Sequence, residues 1–549
     1  PDPTGQRVAF VVDRALHLAE LDTGAVSRFA FSENPHVSYG LAEFVAAEEM
    51  DRHYGFQWSP AGDALLVAHV DVSPVAEWWI ADAVDPHAEP RSVRYPAAGT
   101  DNAVVELRVI PLDGDAWSVE WDAALPYVTR FAWDDHGPLA VVQSRDQRRL
   151  VTLEIHPESG ETTVLHEQED DAWVELTPGV PARLADGRLV TADHGALKVA
   201  GEPVAAGLQV RAVAHVGQDI VFTANADPTE LHVYRWSADG VTALTTKPGV
   251  HHVVTAGGAA LLAHRSLEQH GARWTLNDHI FGSHDQTPAL VPAPRLLTVG
   301  ERDLRVALLL PADHEPGRKL PVLVDPYGGP GHQRVVKARS AYYEAQWFAD
   351  QGFAVLIADN RGTPGRGRDF STAIHGDLAG PPLEDQVDAL HATAEIAPEL
   401  DLERVAVRGW SFGGFLAALA VLRRPDVFHA AVAGAPVVDW RLYDTHYTER
   451  YLGTDADSPA YAESSPIGDA AKLQRPLMLI HGLVDDNVVA AHTLRFSRAL
   501  TEAGRPHTFL PLTGVTHMTP QEAVSENLLL LQVDFLKQAL GVPPDPGRS

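Results

Sequence analysis

From Thr4 to about Pro292 the apolar positions come in short β-like runs, each introduced by a Gly or Asp turn. Such runs occur at Thr4–Val12, Ala61–Val67, Asp135–Val142, Ala185–Val190, Gly217–Phe222 and Gly257–Leu262. A turn that opens an apolar β run is a hairpin signal. The runs recur about 30 to 75 residues apart, around the ~40–50 residues of a propeller blade. They predict a β-propeller, with a long β-sandwich array as the other fold that gives similar punctuation. One stretch breaks this grammar. Ala42–Met50 (AEFVAAEEM) is rich in helix formers, lacks Gly and Pro, and predicts a short helix between two strand-like units.

From about Leu296 the pattern changes. Compact β runs at Leu320–Asp325, Phe353–Asp359, Arg404–Gly409, His429–Ala433 and Pro476–His481 alternate with helical periodicity. The helical stretches are Tyr342–Asp350, Leu383–Ala397, Phe415–Leu422 and His492–Ala503. This alternation predicts a mostly parallel sheet covered by helices on both faces. Chemistry in such sheets gathers in the loops just beyond the carboxyl ends of the strands. The expected domains are therefore 1–292, a propeller carrying the acidic helix, and 293–549, an α/β domain.

Composition narrows the function classes. The 549 residues are 45% hydrophobic and 21% charged, values of ordinary folded protein. A net charge of −31 repels phosphate backbones, so no nucleic-acid partner is expected. The absence of cysteine removes disulfides, cysteine nucleophiles, thiolate zinc sites and iron–sulfur clusters. No apolar run approaches the ~20 residues of a membrane helix. No metal-ligand spacing and no dinucleotide loop is present, so neither metal nor cofactor is expected, and His251-His252 reads as ordinary surface. A cytoplasmic location is expected. The chain opens on Pro1-Asp2-Pro3 without a Met, however, and a leading segment is expected ahead of it.

Gly409-Trp410-Ser411-Phe412-Gly413-Gly414 follows a strand and opens a helix, the setting of a G-x-S-x-G elbow. Ser411 would stand on a sharp turn, with the Phe412 N–H aimed at a developing oxyanion. A serine nucleophile needs a base and an acid to orient that base. Two later strand ends supply them in the order Ser…Asp…His. One bears Asp485-Asp486-Asn487, and the other ends in His517.

With these residues the C-terminal half resembles the catalytic domain of the prolyl oligopeptidase family of serine peptidases, an α/β-hydrolase fold. A strand-rich region ahead of that domain is the family's order. Gly409–Gly414 with Trp410, Tyr447–Gly453 (YTERYLG) and His481–Val488 resemble the dipeptidyl-peptidase IV branch. The resemblance implies a triad of Ser411, Asp485 and His517, with Asp486 as the alternative acid, and an oxyanion hole completed by the Tyr327 hydroxyl. It implies a pocket walled by Val437, Trp440, Tyr443, Tyr447 and Val488, and an Asn487 that grips the carbonyl of the substrate's first residue. Glu48 and Glu49 resemble the pair that binds a free α-ammonium two residues from the bond cut.

The reading that follows is a serine exopeptidase releasing X-Pro or X-Ala dipeptides from peptides with a free N-terminus, acting as a homodimer by family resemblance. The rivals are an acylaminoacyl-peptidase or oligopeptidase of the same family, and an inactive peptide-binding protein. Only 47 residues precede the Glu pair. Either an earlier segment exists or the propeller is short of blades, and an arginine expected to assist the substrate carbonyl is not assigned.

Overall fold

The structure, a computed structural model, describes residues 1–82, 84, 85, 87–277 and 279–543. The N-terminal half is a β-propeller of consecutive antiparallel sheets. The first has strands Arg7–Val12, Ala15–Glu20 and Val26–Ala30. The second has five strands, and four more sheets of four strands each follow over 127–169, 182–203, 209–243 and 250–281. Neighbouring sheets share apolar layers. Leu66, Leu107 and Val109 of the second pack with Val128, Phe131 and Val142 of the third. Face-to-face burial of this kind is what makes each blade depend on the next.

The short helix is present at Phe44–Glu49, between strands Val37–Tyr39 and Phe56–Trp58. It has no side-chain cap, and six residues are too few to be helical alone. Tertiary contacts hold it instead. Val45 and Ala46 are buried against Met50 and Tyr127. Behind them Arg52, 1% exposed, pairs with Glu43 at 2.7 Å and donates to the Val128 and Tyr54 carbonyls.

Two features depart from the sequence reading. A two-stranded ribbon, Glu77–Ile80 with Arg91–Arg94, projects from the second sheet and carries the exposed Trp79. His251 is not surface. The pleat of strand Val250–Ala256 turns His252 outward and buries His251 in a stack between His232 and His264, with ring centroids 5.2 and 4.3 Å away.

The C-terminal half is an α/β-hydrolase domain built on one eight-stranded sheet. Its order is Arg295–Val299, Leu304–Leu309, Ala354–Asp359, Leu320–Val324, Leu400–Trp410, Ala430–Gly434, Leu477–Gly482 and Thr508–Leu512. Leu304–Leu309 pairs antiparallel with both its neighbours, and the remaining pairings are parallel. Helix Phe412–Arg423 is buried from Phe412 to Leu422, which explains why its sequence shows no polar face. It starts three residues before the expected Phe415. Helix Glu522–Ala539 closes one face and was not legible, because only its Leu528–Leu531 run stands out. Among the described residues no helix is long and apolar enough to cross a membrane.

Charged contacts join the halves. Arg145 of the third sheet grips the buried Glu449 with two hydrogen bonds of 2.7 Å. Arg368 bonds Asp170, and Lys337 bonds Glu230 and Asp227.

Candidate active site

Strand Leu400–Trp410 delivers Ser411 to a turn with φ 58° and ψ −119°. A non-glycine residue at positive φ is strained, and such strain concentrates at functional sites. Glycines on either side make the turn possible. A Cβ on Gly409 would lie 2.3 Å from the Gly413 backbone, and one on Gly413 would lie 2.5 Å from the Pro326 carbonyl oxygen. The second approach also presses the elbow against the loop that carries Tyr327.

His517 Nδ1 lies 2.8 Å from Asp485 Oδ2. The Trp410 indole N–H donates to the His517 carbonyl at 2.8 Å, tying the histidine loop to the residue next to Ser411. Asp485 is 1% exposed and accepts backbone N–H bonds from Asn487 and Val488, both at 3.0 Å. Burial alone would raise its pKa, but hydrogen bonds from His481 and His517 outweigh that and hold it below the usual carboxylate range. Asp486 points elsewhere, to Arg91 of the ribbon at 2.9 Å.

Tyr327 follows strand Leu320–Val324, with its ring 6.3 Å from that of Phe412. Burial pushes its pKa up to about 12, so the hydroxyl remains a donor at neutral pH. Beside it Trp440, Tyr443 and Tyr447 form an aromatic box. Trp440 and Tyr447 are parallel at 5.9 Å, and Tyr443 stands edge-on to Tyr447 at 5.2 Å. Val437 and Val488 are buried next to the box. Flat walls of this kind suit a pyrrolidine-sized group.

Across the interface, the Asn487 amide donates to Glu48 Oε1 at 2.6 Å, and the Tyr443 hydroxyl donates to Asn487 Oδ1 at 3.0 Å. Glu49 meets Asp444, a residue the sequence did not single out. Asp444 is 1% exposed and caps helix Thr445–Leu452 by accepting from the Tyr447 N–H at 2.9 Å. Burial, then the Asp444 charge, raises Glu49 well above its usual range, and burial pushes Asp444 up to about 6. Like charges this close in a buried place oppose full ionisation of the pair. Beyond Glu49 opens a cavity of about 340 Å³, lined among others by Tyr54, Arg130, Glu175, Tyr447 and Arg450. The structure thus brings Asp485 to His517, Asn487 to Glu48 and Tyr443, and Trp440 to Tyr443 and Tyr447, while Asp486 crosses the junction to Arg91 instead. Among the described residues no group of three or more His, Asp or Glu side chains is placed to hold a metal ion.

Comparison with known proteins agrees with this architecture. Residues 339–543 match the prolyl oligopeptidase family, and residues 2–187 match the dipeptidyl peptidase IV N-terminal region. The chain is similar to a probable dipeptidyl-aminopeptidase B of Talaromyces stipitatus, 27% identical over 91% of this chain and 63% of that one. A probable dipeptidyl-aminopeptidase B of Aspergillus clavatus is 29% identical over 90% of this chain and 61% of its own length. Human dipeptidyl peptidase 8 is 25% identical over 97% and 74%. The chain therefore spans less than two thirds of the length of the fungal relatives. The fold is that of Porphyromonas gingivalis dipeptidyl peptidase 4, with a TM-score of 0.89 at 23% identity over 98% of this chain and 82% of that one.

Proposed function

Because this chain belongs to the prolyl oligopeptidase family, on its dipeptidyl-peptidase IV side, we propose that it is a serine exopeptidase releasing N-terminal dipeptides, X-Pro or X-Ala, through an acyl-enzyme. The observation that carries this reading is the Asn487–Glu48 hydrogen bond, because it ties the acidic helix to the loop of Asp485. An ammonium held by the Glu pair is then anchored to the loop that carries the proposed triad acid.

In this reading Ser411 Oγ attacks the scissile carbonyl while His517 takes its proton. Asp485 holds the imidazole tautomer and stabilises the imidazolium. The Phe412 N–H and the Tyr327 O–H receive the oxyanion. His517 then protonates the leaving amine, a C–N bond breaks, and an ester to Ser411 remains. Water, deprotonated by His517, cleaves that ester and frees the dipeptide. The penultimate ring sits in the Trp440–Tyr443–Tyr447 box, and the first side chain faces the cavity beyond Glu49. Binding the ammonium brings a positive charge beside Glu49 and Asp444 and offsets the repulsion between them in a buried place.

The test is a panel of X-Pro and X-Ala p-nitroanilides with free and acetylated amino termini, together with fluorophosphonate labelling of the parent and of Ser411→Ala. Labelling of the parent alone and cleavage of the free series alone are expected. Equal cleavage of acetylated substrates would favour the oligopeptidase reading, and no labelling would favour a binding protein. A domain boundary between 292 and 293, a homodimer and a cytoplasmic location are also proposed. Limited proteolysis, sedimentation velocity and cell fractionation test them.

A further inference from the structure

The stretch from Tyr95 to Asn102 leaves the ribbon and runs along the catalytic domain. Tyr95 is 1% exposed. Its ring lies between Phe44 of the acidic helix, at 5.1 Å, and Trp78 of the ribbon, at 4.6 Å. Its hydroxyl donates to the Asn487 carbonyl at 3.1 Å. The Thr445 N–H donates to the Pro96 carbonyl at 2.9 Å, and the Ala98 N–H donates to the Tyr443 carbonyl at 2.8 Å, an antiparallel bridge centred on Ala97 and Asp444. The Gly99 N–H donates to Glu449 at 2.8 Å, and the Thr445 hydroxyl donates to Asn102 at 2.6 Å. Eight residues thus touch the acidic helix, the Asn487 loop and the segment carrying Tyr443 and Asp444.

We propose that Tyr95–Asn102 is a splint setting the distance between the amine-binding carboxylates and Ser411, with the Tyr95 hydroxyl as its positioning group. The inference rests on the dipeptide-releasing reading. A six-residue, uncapped helix cannot fix its own place, so the reach from Glu48 and Glu49 to Ser411 must come from what the helix leans on. Tyr95 is the residue that both supports Phe44 and holds the Asn487 backbone. Burial raises the Tyr95 pKa well above its usual value, so the hydroxyl stays a donor. Nothing in the splint touches the reacting atoms. Asp485 keeps its own bonds to His481, His517 and two backbone N–H groups without it.

The test is Tyr95→Phe, which keeps the ring packing and removes one hydrogen bond. Gly-Pro-p-nitroanilide should lose about three- to tenfold in kcat/KM, mostly in kcat, because alignment is part of the barrier. Hydrolysis of p-nitrophenyl acetate should stay within about twofold. Gly-Gly-Pro-p-nitroanilide, one residue too long for the parent, should gain relative to Gly-Pro-p-nitroanilide. Thr445→Val, which releases Asn102 at nearly constant volume, should shift the same ratio the same way. A purely structural role would lower ester and peptide turnover together and leave the ratio alone, and that outcome overturns the proposal. A parent that cleaves acetylated and free substrates alike removes the dipeptide reading and the splint with it. A parent that demands the free amine, with the ratio unmoved in both variants, removes the splint alone.

Discussion

The Asn487 amide reaches across the domain junction and donates a 2.6 Å hydrogen bond to Glu48. An amide nitrogen carries two hydrogens, so one can hold Glu48 while the other meets the carbonyl of a substrate's first residue. Asn487→Ala and Glu48→Gln should therefore be non-additive. Their combined loss in kcat/KM for Gly-Pro-p-nitroanilide should fall short of the product of the single losses by about threefold or more. Strict additivity in the double-mutant cycle would mean that the two act separately.

Glu48→Gln and Glu49→Gln should each lower kcat/KM for free-amine substrates by about ten- to 150-fold. A charge-assisted hydrogen bond is worth about 1.5–3 kcal/mol, and about 1.4 kcal/mol is a factor of ten. A short ester offers no ammonium and should suffer far less. Equal losses on both substrates would point to damaged folding instead.

Asp485→Asn should cripple turnover, by about 10⁴-fold if the wrong histidine tautomer dominates. Asp486→Asn breaks only the half-exposed pair with Arg91 and should change turnover less than about threefold. Steady-state kinetics of the two variants decides between them, and the reverse ranking would unseat Asp485.

The pH profile should carry the mark of the Glu49–Asp444 pair. At low pH both carboxyls are protonated and offer the ammonium little charge. As pH rises through about 6 Asp444 loses its proton, and free-amine substrates bind better. Above about 7.7–8.0 the substrate's own amine deprotonates and activity declines again. An ester substrate reports the remaining titrations and gives the baseline. Asp444→Asn should remove the acid limb near 6 for Gly-Pro-p-nitroanilide and leave the ester limb in place. An unmoved peptide limb would exclude this role for Asp444.

Acid should also loosen the junction. Burial raises Asp170, but bonds from Arg368 and the Ala172 N–H outweigh it and bring the pKa down to about 2. A carboxylate whose pKa is depressed on folding contributes stability above its unfolded value of about 3.9, lost as pH falls toward 2. Arg368 is 40% exposed, so screening limits the contribution to about 1–2 kcal/mol. Asp170→Asn should lower the Tm at pH 7 and cost much less at pH 2, measured by differential scanning calorimetry.

What the sequence revealed and what it hid follow one physical line. Ser411, Asp485 and His517 each lie just beyond a strand inside a short local motif, and their order along the chain matches the order of those strands in the sheet. The helix of the Glu pair was legible because it is out of place among hairpins, whereas the role expected of the pair came from the family resemblance alone. Asp444 was not, because its importance comes from a backbone bridge to Ala97, far away in sequence. Tyr95 was hidden for the same reason. His251 was misjudged because a pair of adjacent histidines does not reveal which way the pleat turns.

The positive φ at Ser411 has a consequence for stability as well as for chemistry. Glycine occupies that region without strain, so Ser411→Gly should leave a dead protein that outlasts its living parent, with a Tm higher by a few degrees if about 1 kcal/mol is released. The strain at Ser411 is thus a cost that the proposed peptidase reaction accounts for and the fold alone does not.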